Sequence, residues 1–258
     1  MLASAADTVQ YRLWADGSPI RNAGRMDATS IRVGILAPMP SELAPVVKTM
    51  RLTRDAEGTH VGRVGGVEVV AMRTGMGLTL ATAAATRLLD GHAVDHVMVV
   101  GIAGGLGPTR VGEVVCPTVV IDRTTRAEFS ATPMSIAAGR ISSSDDFVVD
   151  ADLVAALVRD GVRAVDMETS AIAAVCTARG CSWSAVRVIS DLVTDHPDDA
   201  VLGLANPDGS PNTRAALKFM ATHPGRIPQL LRLGRDATSA ARVAANEAAR
   251  QLREIVAG

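Results

Sequence analysis

Three carboxylates stand where apolar runs stop. Val165-Asp166-Met167-Glu168 ends one run, Ile189-Ser190-Asp191 ends another, and Glu42 follows the apolar stretch Ile31 to Ala37. In open α/β folds the carboxyl ends of strands are where binding crevices form. Acids delivered there suit acid/base work on a neutral, hydroxyl-rich substrate. Asp191, half-shielded by apolar neighbours, has its neutral form favoured and so suits a general acid, with Ser190 donating a hydrogen bond that orients it. The same residue reads equally well as a cap on the loop that follows. Glu168 is placed to accept hydrogen bonds from a vicinal diol such as a ribose, or to complement the dipole of the helix it opens. Met167 beside it packs either on a sugar face or in the core. Glu42 is a candidate base for activating water, or a capping carboxylate next to Ser41, the expected N-cap. Arg187 shares a strand with Asp191. If buried it needs a carboxylate partner, and Glu42 is the obvious candidate, in a structural ion pair or in one that positions the base.

Two further features carry weaker chemistry. The run Gly101-Ile102-Ala103-Gly104-Gly105 permits close backbone approach to a ligand. It is followed by no Gly-Lys-Ser/Thr and does not match Gly-x-Gly-x-x-Gly, which removes the main support for a nucleotide or dinucleotide loop. Gly75 and Gly77 form a second glycine turn. Phe147, one of only three phenylalanines, is available to stack on a flat base, or to serve the core.

The elements that must hold these residues alternate in type. Strands are expected at 31–37, 97–100, 114–121, 164–167 and 185–189, with a hairpin over 61–72 turning at Gly65-Gly66. Helices are expected at 42–50, 78–89, 151–159 and 169–179, the last closed by Gly180. The stretch 123–144 reads as polar and irregular, and 195–211 as a long loop. Ala237, Ala241, Ala244, Ala248, Leu252 and Ile255 recur at helical spacing, predicting a closing amphipathic helix. The pattern predicts an α/β fold, a three-layer α/β/α sandwich with a central mixed, largely parallel sheet. One domain is expected over 31–258, with a helical tail from about 212, and residues 1–30 as a loose extension.

Bulk composition narrows the function classes. The 258 residues carry a formal net charge of -1 and no dense Lys/Arg tract, so there is no electrostatic case for nucleic acid. No apolar run is long enough to insert into a bilayer, and Met1 to Asp7 lacks the features of a signal peptide. Cys116, Cys176 and Cys181 are odd in number and sit in apolar or helical settings, as reduced thiols in a cytoplasmic protein would. The five histidines are scattered, and none pairs with a cysteine at metal-ligand spacing.

Five segments in order resemble the purine nucleoside phosphorylase/uridine phosphorylase superfamily, and most closely its 5′-methylthioadenosine/S-adenosylhomocysteine nucleosidase branch. They are Gly34-Ile35-Leu36-Ala37-Pro38-Met39-Pro40-Ser41-Glu42, Val100-Gly101-Ile102-Ala103-Gly104-Gly105-Leu106, Val111-Gly112-Glu113, Asp166-Met167-Glu168 and Arg187-Val188-Ile189-Ser190-Asp191. The resemblance implies that Asp191 protonates N7 of adenine and that Glu42 prepares the water attacking C1′. Met167 and Glu168 would hold the sugar, Phe147 would stack on the base and the backbone of Val148 would read its edge. Ala103 and Gly104 would line the back of the pocket. It implies a small-molecule nucleoside substrate, no cofactor, no metal and a homo-oligomer, most simply a dimer. Phosphorylases of the superfamily carry a Gly-Asp-Pro motif after the first strand and an arginine and threonine around the glycine loop. Here Ala37-Pro38-Met39 and Ile102 hold those places, so hydrolysis is expected over phosphorolysis. The segment Phe129 to Gly139 is shorter than in the nucleosidases, which opens the expected 5′ pocket to other groups. The tail from Asn206-Pro207-Asp208-Gly209 to Leu233 resembles instead hopanoid-associated nucleoside phosphorylases, acting on a lipid-linked adenosyl group. A nucleoside-binding protein without turnover is the remaining alternative.

Overall fold

Repeated apolar strands separated by amphipathic helices fold into one mixed sheet with helices on both faces. The computed structural model describes residues 30–134, 139–146, 148, 150–193, 218 and 222–257. The expected extension (but for Ser30), the loop at 195–211 and Phe147 lie outside the described residues. The strands are β1 (Arg32–Ala37), β2 (Thr53–Arg54), β3 (His60–Val64), β4 (Val67–Arg73), β5 (His96–Gly105), β6 (Val114–Val115), β7 (Val119–Asp122), β8 (Glu128–Ser130), β9 (Arg140–Ser143), β10 (Val162–Asp166) and β11 (Ser182–Leu192). The helices are α1 (Pro40–Met50), α2 (Leu78–Gly91), α3 (Ala151–Arg159), α4 (Thr169–Arg179) and α5 (Ile227–Ala257). Strand order is β2-β3-β4-β1-β5-β10-β9-β7-β8, with β11 pairing both β5 and β6. β1 runs parallel to β4 and β5, and β11 parallel to β5, whereas β10 meets β5 antiparallel.

The period-two alternation of the central strands sends side chains into two cores. Val33, Ile35, Met98, Val100, Val186 and Val188 face α1 and the alanine stripe of α5, including Ala241, Ala244 and Ala248. Leu36, Val97, Val99, Ala185 and Ile189 face Ala84, Leu88, Ile172 and Cys176 of α2 and α4. The small alanines of α5 let the helix lie close on the sheet.

The strand pattern differs from the sequence reading in three places. The strand expected at 97–100 continues through the glycine run to Gly105 as β5. The stretch 123–144 holds β8 and β9, and β9 is an inner strand, parallel to β7 on one side and β10 on the other. Its serines look like loop residues, but Ser142, Ser143 and Ser144 are buried, and Ser143 donates to Asp166 Oδ1 at 2.5 Å. The single strand expected at 114–121 is two, β6 and β7, separated at Cys116-Pro117-Thr118. Pro117 has no N–H to give a ladder. Among the described residues no helix is long and apolar enough to cross a membrane.

Candidate active site

Glu42 owes its position to the way α1 begins. The helix starts at Pro40, with Met39 as N-cap instead of the expected Ser41. Pro40 fits a helix start because its missing N–H would have no intrahelical partner there. Glu42 then stands in the first turn, where its Oε2 accepts from the Met39 N–H at 2.8 Å. Its Oε1 accepts from the Ile102 N–H of β5 at 2.7 Å. The side chain is only 2% exposed. Burial raises its pKa to about 7, against the lowering effect of Arg187 and the two backbone N–H groups.

Arg187 is fully buried beneath this carboxylate and joins three acids. Its Nη2 lies 2.6 Å from Asp166 Oδ2 and 3.4 Å from Glu168 Oε2, and its Nη1 lies 3.9 Å from Glu42 Oε1. The partner expected from the sequence, Glu42, is therefore the most distant of the three. Asp166 is the close one, because it sits at the C-terminal end of β10 directly before α4. There it also accepts from the hydroxyl of Thr169, while Thr169 itself accepts from Arg187 Nη2 at 2.9 Å. Glu168 accepts from the Gly77 N–H at 3.0 Å. Gly77 has a φ of 93°, a conformation that glycine adopts freely, and this turns its N–H toward the carboxylate. Burial raises the Glu168 pKa to about 8, with Asp166 adding to the rise and Arg187 opposing it. One guanidinium cannot neutralise three carboxylates, and burial keeps Glu42 and Glu168 partly protonated near neutral pH.

Asp191 is aimed by a break in strand alternation. Ile189 pairs with Ala103 and Asp191 with Gly104, so Ser190 is an extra residue, a β-bulge. The bulge lets two consecutive side chains, Ser190 and Asp191, line the same cavity. Ser190 donates to Asp191 Oδ1 at 2.5 Å.

The cavity is about 230 Å³. It gathers Glu42, Ala103, Gly104, Val148, Met167, Glu168, Ser190 and Asp191 from the sequence-predicted set. Arg187 is not part of its wall. It lies behind the carboxylates, consistent with positioning them and not with touching a substrate. Phe147, between the described Asp146 and Val148, has no described placement. Sequence reasoning missed Asp166 as a site residue, and it missed Met76 and Arg123, which line the cavity from the β4–α2 turn and the end of β7. Asp166 carried a signal, since it ends the same apolar run as Glu168. Met76 and Arg123 carried none, because only the strand order brings their turns to this edge.

Gly101 marks how tightly the cluster is packed. A Cβ there would collide with Glu42 Oε1 and come within 2.6 Å of Arg187 Nη1. Gly101→Ala is expected to displace the Glu42 carboxylate and lower kcat by about 10–100-fold, since an ångström of misplacement can cost on the order of 10²-fold. Steady-state kinetics beside a thermal melt checks this. A wild-type kcat in a folded variant would show that Glu42 need not be held there.

A cavity at the strand ends of a mixed α/β/α sheet, walled by apolar side chains and several carboxylates, defines a small-molecule site built for proton transfer. The chain belongs to the phosphorylase superfamily, whose family model matches residues 32–133 and 124–206. It is similar to the 5′-methylthioadenosine/S-adenosylhomocysteine nucleosidase of Chromohalobacter salexigens, 28% identical over 204 residues covering 65% of this chain and 87% of the relative. The nucleosidase of the same name from Marinomonas sp. is 29% identical over 198 residues, covering 62% and 85%. Among solved structures, Helicobacter pylori 5′-methylthioadenosine/S-adenosylhomocysteine nucleosidase superposes with a TM-score of 0.65 at 16% identity, covering 87% of this chain and 98% of that one. The futalosine hydrolase of Helicobacter pylori gives the same TM-score at 16% identity, covering 87% and 97%. At such identities the structural likeness establishes the fold alone.

Proposed function

We propose that this protein is a nucleosidase that hydrolyses the N-glycosidic bond of adenine nucleosides of the 5′-methylthioadenosine/S-adenosylhomocysteine type. The observation that carries the reading is the meeting of Glu42 and Asp191 at one cavity, Glu42 held by the Ile102 N–H of β5 and Asp191 paired with Gly104 of the same strand. Asp191 donates a proton to N7 of the base, which turns the departing adenine into a neutral leaving group. Positive charge then develops at C1′ and the ring oxygen of the ribose. Glu168 accepts hydrogen bonds from the ribose hydroxyls, and Met167 packs against the sugar. Glu42, in its ionised form, takes a proton from the water that attacks C1′. The backbone of Val148 reads the base edge, and Ala103 and Gly104 form the floor beneath it. The names of the curated relatives support the same substrate class.

Water is the favoured nucleophile for a physical reason. The wall beside Glu42 is formed by Pro38, Met39 and Ile102, which offer no cation and no hydroxyl to a phosphate dianion. A buried carboxylate at that place repels the dianion as well. Purified protein incubated with methylthioadenosine, with and without phosphate, is expected to release adenine and the free ribosyl product at the same rate. Adenine release that requires phosphate and yields a ribose 1-phosphate would replace hydrolysis by phosphorolysis. No base release from any nucleoside would remove the enzymatic reading.

A further inference from the structure

Among the described residues the cavity wall holds five carboxylates, Glu42, Asp146, Asp166, Glu168 and Asp191, and one basic side chain, Arg123. The mechanism above gives Arg123 no task. It follows the end of β7, and its N–H donates to the carbonyl of Ser143 at 3.0 Å. Its guanidinium donates through Nη2 to Ser144 Oγ at 2.8 Å and to the carbonyl of Asp146. Both bonds use one nitrogen, so the three N–H groups on Nε and Nη1 are not consumed by them. Among the described residues Arg123 forms no ion pair within 4.0 Å, although Asp146 is near enough to act on its charge. Partial burial destabilises that charge. A half-buried arginine with spare donors, facing a wall that otherwise repels anions, is where an acceptor oxygen of a ligand will settle.

Its location narrows the choice. In the strand row β1-β5-β10-β9-β7 the carboxylate of Glu42 lies over β5, while Arg123 follows β7, three strands further along. Its guanidinium reaches back to Ser144 after β9, two strands from β5, so at about 4.8 Å per strand it stands on the order of 10 Å from the reacting atoms. We propose that Arg123 is a specificity-determining residue that binds an acceptor oxygen at the far end of the substrate, a carboxylate on the 5′ substituent. This rests on the nucleosidase reading above. The competing role is a clamp that only holds the Ser144–Asp146 turn next to Val148, and it predicts a different result.

The experiment compares wild type, Arg123→Met and Arg123→Lys on two substrate pairs. S-adenosylhomocysteine against methylthioadenosine tests for a 5′ carboxylate, and inosine against adenosine tests for contact with the base instead. In Arg123→Met, kcat/KM is expected to fall about 10–100-fold for S-adenosylhomocysteine, while methylthioadenosine, adenosine and inosine change less than about threefold. Arg123→Lys should restore part of the loss, because it returns the charge without the planar fork. A loss confined to inosine would overturn the assignment, since adenine carries no carbonyl. Equal losses on all four substrates would make Arg123 a clamp, and no loss on any would make it inert. Either result overturns the assignment while leaving the nucleosidase intact. If wild type cleaves none of the four, the nucleosidase reading falls and this assignment with it.

Discussion

Asp191→Asn is expected to lower kcat by about 10²–10⁴-fold, the usual range for loss of a positioned general acid, with KM changed only a few-fold. The substitution is nearly isosteric. The amide still accepts a hydrogen bond from the Ser190 hydroxyl, and the bulge that aims position 191 depends on backbone pairing with Ala103 and Gly104. What is lost is the proton. Adenine is a poor leaving group as an anion, so a site that cannot protonate N7 must expel a charged base into a wall already rich in carboxylates. Release of adenine, followed by chromatography or absorbance, gives kcat directly, and binding of a non-hydrolysable nucleoside confirms that the pocket is intact. A kcat within about fivefold of wild type would sink Asp191 as the acid. The base would then leave by another route, and Asp191 would revert to a cap on the end of β11.

The meeting of Glu42, Glu168 and Asp191 at one cavity was legible in the sequence because their signal is local. An apolar run that stops at a carboxylate says that a buried strand has reached the sheet edge. That held for Asp191 and Glu168, and also for Asp166, whose part in the site was nevertheless missed. The choice among three carboxylates around Arg187 is long-range. It depends on Asp166 ending β10 immediately before α4, where Thr169 and Ser143 also converge on it. No spacing rule encodes that meeting. The same limit hid β9. Its serines read as loop until the inner position of the strand, between β7 and β10, gave them buried partners. The glycines of β5 hid how far that strand continues past the expected 97–100. Gly101 is there because Glu42 and Arg187 occupy the space of its Cβ, not because the chain turns. Glycine selected by packing and glycine selected by a turn look alike in a sequence.

Activity and stability are expected to move in opposite directions with pH, and Glu42 is the reason. A base must be ionised. Burial holds the Glu42 pKa at about 7, so kcat/KM should rise through an ascending limb centred near pH 7. Stability follows the opposite course. In the unfolded chain the same carboxyl titrates near its ordinary value of 4.5, so between 4.5 and 7 the folded protein holds the extra proton. Stability then falls as pH rises across that window. The contribution is complete below about 4.5 and is lost as pH passes 7. Glu168, raised to about 8, extends the decline upward. Glu42→Gln tests both halves at once. It fixes a neutral side chain, so the ascending limb should vanish together with about 10²–10⁴-fold of kcat. The fall in Tm between pH 5 and pH 8 should become shallower, with Glu168 supplying what remains. The amide NH₂ of Gln must face one of the two N–H groups that Glu42 now accepts from, which costs stability at every pH. The slope of Tm against pH is therefore the informative quantity, more than its value. A limb near pH 7 that survives in Glu42→Gln would assign the titration to another group. Glu42 would then be a structural partner of Arg187, and the attacking water would need a different base.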